Sequence, residues 1–228
     1  MPLPASLFQG RYTRQQIADA VGIASDLLAY WIREGLLIAA EGEGLGKGKH
    51  RFFRFEAVHI AAVLKELGRY GVQTAGLKQV ASLLWGVFAF GSKHPDITES
   101  DMLRAAYLRR ARAKYPARAS LAQGEEEASR EDYGSFEDWL EHHPDTTEKA
   151  FEIEPWLDEK AQLRFALYFD LFAENVFDQE HTRWMFFHED DQLIAVPEEF
   201  YTGPYDLENV ASYIMVDLSL IIKPLWML

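Results

Sequence analysis

Hydrophobic residues in the first ninety positions recur at helical spacing and are interrupted by glycines. Thr13-Arg14-Gln15-Gln16 has the form of a capping box, in which Thr13 accepts the Gln16 amide and Gln16 reaches back. The pattern predicts a short helix with Ile17, Ala18 and Val21 on one face, ended by Gly22. A second helix is predicted over 24–34, with Leu27, Leu28 and Trp31 inward and Gly35 as its stop. Two short helices about a glycine turn form a helix-turn-helix pattern. Leu36-Leu37-Ile38 reads as a short strand and 42–49 as a glycine-rich loop. Arg51-Phe52-Phe53-Arg54-Phe55, alternately basic and aromatic, reads as the returning strand of a β-hairpin wing. Phe55, Val58, Ala62, Val63, Leu67 and Tyr70 then mark one face of a longer amphipathic helix closed by Gly71. Leu77, Val80, Ala81 and Leu84 mark another.

From Gly91 the pattern changes. Residues 91–95 read as a linker, 98–115 as a basic helix stopped before Pro116, and 123–134 as a polar acidic loop. Helices are expected over 136–143 and 155–175. A hairpin is expected of 184–187 against 193–196, with its turn at 188–192, and a last helix over 207–222. The expected fold is mainly α with short β-hairpins. It comprises an N-terminal winged helix-turn-helix over 1–90 and an acidic α+β C-terminal domain over 91–228.

The chain has 228 residues and no cysteine, which excludes disulfides, thiol nucleophiles and thiolate metal sites. Asp217, Lys223 and Pro224 interrupt the most apolar stretch, 209–228, so no bilayer span is expected and the chain reads as cytoplasmic. The net charge of −13 argues, as a total, against nucleic acid. Its distribution argues otherwise: residues 1–90 carry +3 and residues 91–228 carry −16.

The order Tyr12-Thr13, Ile17-Ala18, Gly22-Ile23 and Tyr30-Trp31-Ile32-Arg33-Glu34-Gly35-Leu36-Leu37 resembles the MerR family of bacterial regulators. So do Arg51-Phe52-Phe53, Glu56 and Val58. The resemblance covers about residues 11–86. It implies a winged helix-turn-helix that binds palindromic promoter DNA as a homodimer and regulates transcription. Where that family commonly has arginines on the second helix, this chain has Asp26 and Ala29. Where it commonly has an aromatic before the wing arginine, this chain has His50. The sensors of thiophilic metals and the iron–sulfur sensor of that family need cysteines, so this chain is neither.

On such a fold, helix starts, helix ends and the wing can reach a DNA backbone. Arg14, Arg33, Lys47, Lys49, His50 and Arg51 occupy those places, and Ala24, Ser25 and Tyr30 lie on the second helix. These are the candidate DNA contacts, with Tyr30 equally readable as packing. The glycine loop lacks the spacing of a phosphate-binding motif.

His142-His143 beside Glu141 and Asp145, and His181 or His188 beside Glu189, Asp190 and Asp191, are weighed as metal ligands; adjacent histidines on a helix point about 100° apart and do not easily share a metal, and the 188–191 turn reads better as a solvated hairpin tip. Glu152, Glu154, Asp158 and Glu159 are abundant carboxylates without a catalytic motif, so no enzyme activity, cofactor or metal is expected. Trp156, Phe165, Tyr168, Phe169, Phe172, Phe177, Trp184, Phe186 and Phe187 read as core or as the lining of a pocket for an apolar small-molecule effector. The apolar run from Tyr213 to Trp226 reads as core or as a subunit interface. A second reading makes the protein an accessory DNA-binding adaptor whose acidic domain binds a protein partner.

Overall fold

The computed structural model describes residues 10–40, 51–115, 135–173, 182–189, 192–198 and 212–226. It is mainly helical with small antiparallel sheets. The chain divides into two compact units: Met1–Gly91 with Ala166–Leu228, and Ser92–Phe165. The boundary near Gly91 therefore matches a change in composition, but 91–228 is not one unit. Its last sixty or so residues belong with the N-terminal helices.

The first unit begins with β1 (Tyr12–Thr13), α1 (Arg14–Val21) and α2 (Ser25–Arg33). The capping box forms: the Thr13 amide donates to Gln16 Oε1 at 2.8 Å, and the Gln16 amide to Thr13 Oγ1 at 3.2 Å. Gly22, at φ 70°, ends α1 in the left-handed region. Lys65 Nζ donates to the Val21 carbonyl at 2.8 Å, a cation placed on the negative end of that helix.

β2 (Phe52–Phe53) leads into α3 (Phe55–Arg69) and α4 (Thr74–Gly91). α3 is buried nearly all round, continuously from Phe55 to Leu64. The amphipathic reading of it was too narrow: Tyr70 is exposed, while Ala57, Ile60, Ala61 and Leu64 are buried. A helix apolar on every side needs cover on every side. The C-terminal part of the chain supplies some of it. β3 (Arg183–Glu189), β4 (Gln192–Pro197) and β5 (Tyr213–Asp217) form an antiparallel sheet in the order β4-β3-β5. Trp184, Phe186, Val216, Leu218 and Ile222 share one core with Ile17, Leu28, Ile60 and Leu64.

Four expectations differ in this unit. Leu36-Leu37-Ile38 is no strand. The Leu36 amide donates to Trp31 O at 2.9 Å and closes α2, and its carbonyl accepts Trp85 Nε1 from α4 at 2.9 Å. Phe52–Phe53 pairs with β1, at Tyr12↔Phe53 and Thr13↔Phe52, and a lone Ala40 amide donates to Phe52 O at 2.9 Å. The expected hairpin at 184–196 is present but tighter, because pairing continues to Glu189↔Gln192. The expected helix over 207–222 is instead β5 followed by α9 (Leu218–Trp226). Asp217 Oδ1 accepts the Leu220 amide at 3.1 Å, which ends the strand and caps the helix. Gly91, expected in a linker, is the last residue of α4. The Tyr168 ring lies where its side chain would be, so only glycine fits.

The second unit holds α5 (Glu99–Lys114), α6 (Phe136–His142), α7 (Glu148–Ile153) and a 3₁₀ turn at Glu154–Trp156. α8 (Glu159–Phe172) gives its first residues to this unit and its last to the other. Thr98 caps α5 through a second capping box with Asp101. The helix expected over 155–175 starts later. Pro155 lies in the 3₁₀ turn, and Asp158 Oδ1 accepts the Ala161 amide at 2.7 Å to begin α8. A small core of Leu108, Ala111, Tyr115, Phe136 and Trp139 holds α5 against α6. Among the described residues, no helix is long and apolar enough to cross a membrane.

Candidate nucleic-acid interface

The candidate contacts converge through the pairing of two very short strands. Thr13 lies opposite Phe52, so the next position on each strand brings Arg14 and Arg51 to the same end of the ladder. α2 then supplies Arg33 from its last turn. The three arginines line one open cleft of about 870 Å³, together with Thr13, Gln15, Ala29, Ile32 and Phe53. All three are exposed. Neither Arg14 nor Arg51 has an ion-pair partner among the described residues. Arg33 Nε stands 4.0 Å from Glu34, with its guanidinium 5.3 Å from the Tyr30 ring centroid.

The cleft is held by its surroundings. Glu34 accepts a hydrogen bond from Lys78 Nζ at 2.7 Å, which ties the end of α2 to α4. That bond lowers the Glu34 carboxyl and raises the Lys78 ammonium from their ordinary ranges. Tyr30 is half-buried, donates from its hydroxyl to Thr74 Oγ1 at 3.4 Å and packs on the core. Its place is that of a brace, and it does not line the cleft. Ala24 is the exposed N-cap of α2 and Ser25 its half-buried first residue; neither lines the cleft. Asp26 is exposed in the first turn of α2. Lys47, Lys49 and His50, with the glycine loop, lie outside the described residues.

Guanidinium groups suit phosphate because their planar N–H donors match two oxygens at once. A cleft lined by three of them, with Thr13, Gln15 and apolar side chains beside them, can track a charged backbone. Sequence reasoning found the three arginines but missed what assembles them. A two-residue strand leaves no period to read, and the Lys78–Glu34 bond joins residues forty-four apart.

The other candidates resolve into structural roles. His142 Nδ1 lies 2.7 Å from Asp138 O and His143 Nδ1 lies 2.8 Å from Trp139 O, so one nitrogen of each ring is engaged by a carbonyl of α6. His188 Nε2 is 2.9 Å from Gln79 Oε1. His181, Asp190, Asp191 and Phe177 lie outside the described residues. Among the described residues, no group of three His, Asp or Glu could hold a metal ion. Glu154 is buried and pairs with Arg112 at 3.4 Å, Glu152 pairs with Lys149 at 3.4 Å, and Asp158 caps α8.

Two buried ionisable groups stand out in the first unit. His59, fully buried in α3, donates from Nδ1 to Leu171 O at 2.7 Å and accepts Trp226 Nε1–H at its Nε2 at 2.8 Å. Burial pushes its pKa down to about 4. Glu56, also in α3, is 7 % exposed, and its Oε2 has no hydrogen-bond partner among the described residues. Burial raises its carboxyl above the ordinary range.

No protein-family model matches this chain, and no curated protein or solved structure is significantly similar to it.

Proposed function

We propose that the first unit is a winged helix-turn-helix that binds double-stranded DNA, and that the protein acts as a homodimer to regulate transcription. α1 and α2 are the helix pair of this reading. The observation that carries this reading is the cleft of Arg14, Arg33 and Arg51 beside α2, in a protein whose net charge is −13. The acidic balance of the whole chain works against non-specific attraction for phosphate, so a cleft lined by three arginines stands out. The resemblance of residues 11–86 to the MerR family supports the same reading.

The test is capture and sequencing of genomic fragments by the purified full chain, with Arg51→Ala beside it, at two salt concentrations. A homodimeric regulator enriches an inverted repeat with half-sites about one helical turn apart. Each phosphate-neutralising arginine contributes about −0.9 to the slope of log affinity against log salt, so Arg51→Ala flattens that slope by about 0.9. Absence of any enriched sequence refutes specific regulation.

A second reading is favoured by the small side chains Ala24 and Ala29 on α2. An accessory binder that contacts backbone without reading bases would show the same salt slope with no enriched repeat.

A further inference from the structure

The arginine cleft depends on a ladder that cannot hold itself. β1 and β2 pair over two residues each, at Tyr12↔Phe53 and Thr13↔Phe52, and a two-stranded ladder so short is marginal without packing. Successive side chains of a strand point to opposite faces. Thr13 lines the cleft and its hydroxyl caps α1, whereas Tyr12 points the other way. There the Tyr12 ring meets Trp226 of α9, with centroids 5.7 Å apart and planes inclined at 56°. The Tyr12 hydroxyl also lies so close to Gly10 that a side chain at that position would collide with it.

Trp226 is fixed in turn. Its Nε1–H donates to His59 Nε2 at 2.8 Å, and the two ring centroids stand 5.6 Å apart. His59 is fully buried and its Nδ1 donates to Leu171 O, so the indole is anchored on the core. Every group in this chain of contacts belongs to the first unit. The chain runs from α8 through His59, Trp226 and Tyr12 to the ladder, whose next residues are Arg14 and Arg51. Arg14 is also held by α1 and its capping box, but Arg51 directly precedes β2 and takes its place beside Arg14 from the ladder.

We propose that Trp226 is a positioning residue for DNA binding: through Tyr12 it holds the back of the β1–β2 ladder and so fixes Arg51 relative to Arg14. A guanidinium bonds phosphate well only when its planar donors are aligned with the oxygens, so an arginine on a loosened ladder loses most of its contact. A change that displaces α9 therefore lowers affinity for duplex DNA without altering any group that touches it. Arg33 stands apart from this control, because α2 carries it and the ladder does not. The inference rests on the DNA reading of the cleft and adds to it a control point outside the cleft.

The test is a set of double-mutant cycles on the full chain, read by fluorescence anisotropy of a labelled mixed-sequence duplex of about 30 base pairs at low salt. In the parent, Arg51→Ala and Arg33→Ala should each weaken binding about fivefold, the weight of one exposed ion pair. Trp226→Ala should itself weaken binding about fivefold. On that background Arg51→Ala should cost less than about twofold, while Arg33→Ala still costs its full factor. A variant that merely lowers the folded fraction scales every affinity equally, so all its losses multiply. Trp226→Phe keeps a ring against Tyr12 and should restore the full cost of Arg51→Ala. Tyr12→Val leaves the Trp226–His59 bond in place and should reproduce the coupling, which decides the matter should Trp226→Ala not fold. Losses that multiply for Arg51→Ala with both Trp226→Ala and Tyr12→Val, in a protein that Arg51→Ala weakens, overturn the proposal alone. A parent that binds no duplex, or that Arg51→Ala leaves unweakened, overturns the DNA reading and the proposal with it.

Discussion

His59 makes the stability of the first unit depend on pH in a calculable way. Its two ring nitrogens are engaged by Leu171 O and Trp226 Nε1–H, an arrangement that fits only the neutral ring with its proton on Nδ1. The unfolded chain takes up a proton near the ordinary pKa of 6.5, whereas the folded chain resists until about 4. The neutral form is the one the fold accepts. Its contribution is therefore complete above pH ~6.5, falls as the pH drops from there towards 4, and is constant below. The full shift amounts to about 3 kcal/mol, and about 2 kcal/mol of it is lost between pH 7.5 and pH 5.

Glu56 acts in the opposite sense. Its raised carboxyl favours the folded state at low pH and disfavours it as the pH rises. The informative comparison is therefore between the parent and His59→Gln, by urea unfolding at the two pH values. The parent should lose about 2 kcal/mol more than the variant on going to pH 5. Nitrogen-detected NMR of the parent should show an Nδ1–H tautomer that does not titrate above pH 5. Equal losses in parent and variant, or a His59 ring that titrates near 6.5, would refute the argument.

Trp226→Phe removes the donor to His59 Nε2, leaves a buried acceptor unsatisfied, and should cost about 1–3 kcal/mol in urea unfolding. Gly22→Ala places a side chain on a left-handed residue and should cost about 1–2 kcal/mol, read in the same assay. Glu56→Gln removes a buried carboxylate charge. It should raise the unfolding midpoint more at pH 8 than at pH 4.5, and an equal change at both would show that Glu56 is solvated. Arg14→Ala and Arg51→Ala should leave thermal stability unchanged while weakening binding to duplex DNA uniformly across sequences, as measured by fluorescence anisotropy.

The elements that sequence reasoning recovered are those with local signals. Thr13 and Gln16 announce the start of α1, Gly22 its end, and the apolar runs around Trp184 and Ile194 their hairpin. What it missed depends on partners distant in the chain. Leu36 has the composition of a strand but spends its backbone on Trp31 and Trp85. Tyr213 to Val216 could suit helix or strand until β3 offers an edge, at Met185↔Met215 and Phe186↔Ile214. The grouping of 166–228 with the N-terminal helices left one trace: α3 carries Ala57, Ile60, Ala61 and Leu64 beyond the stripe that a half-exposed helix needs. The arginine cleft was half legible. Charge picked out Arg14, Arg33 and Arg51, but only the register of β1 with β2 sets two of them together.

The continuous burial of α3 has a consequence for biosynthesis. A ribosome delivers this helix long before it delivers Trp184, Leu218, Ile222 and Trp226, which complete its cover. At typical rates the interval from Gly91 to Trp226 is roughly 7–27 s. Through that interval the nascent N-terminal helices keep apolar surface open to solvent and to chaperones, and their first unit closes only when its last strand and helix have been translated.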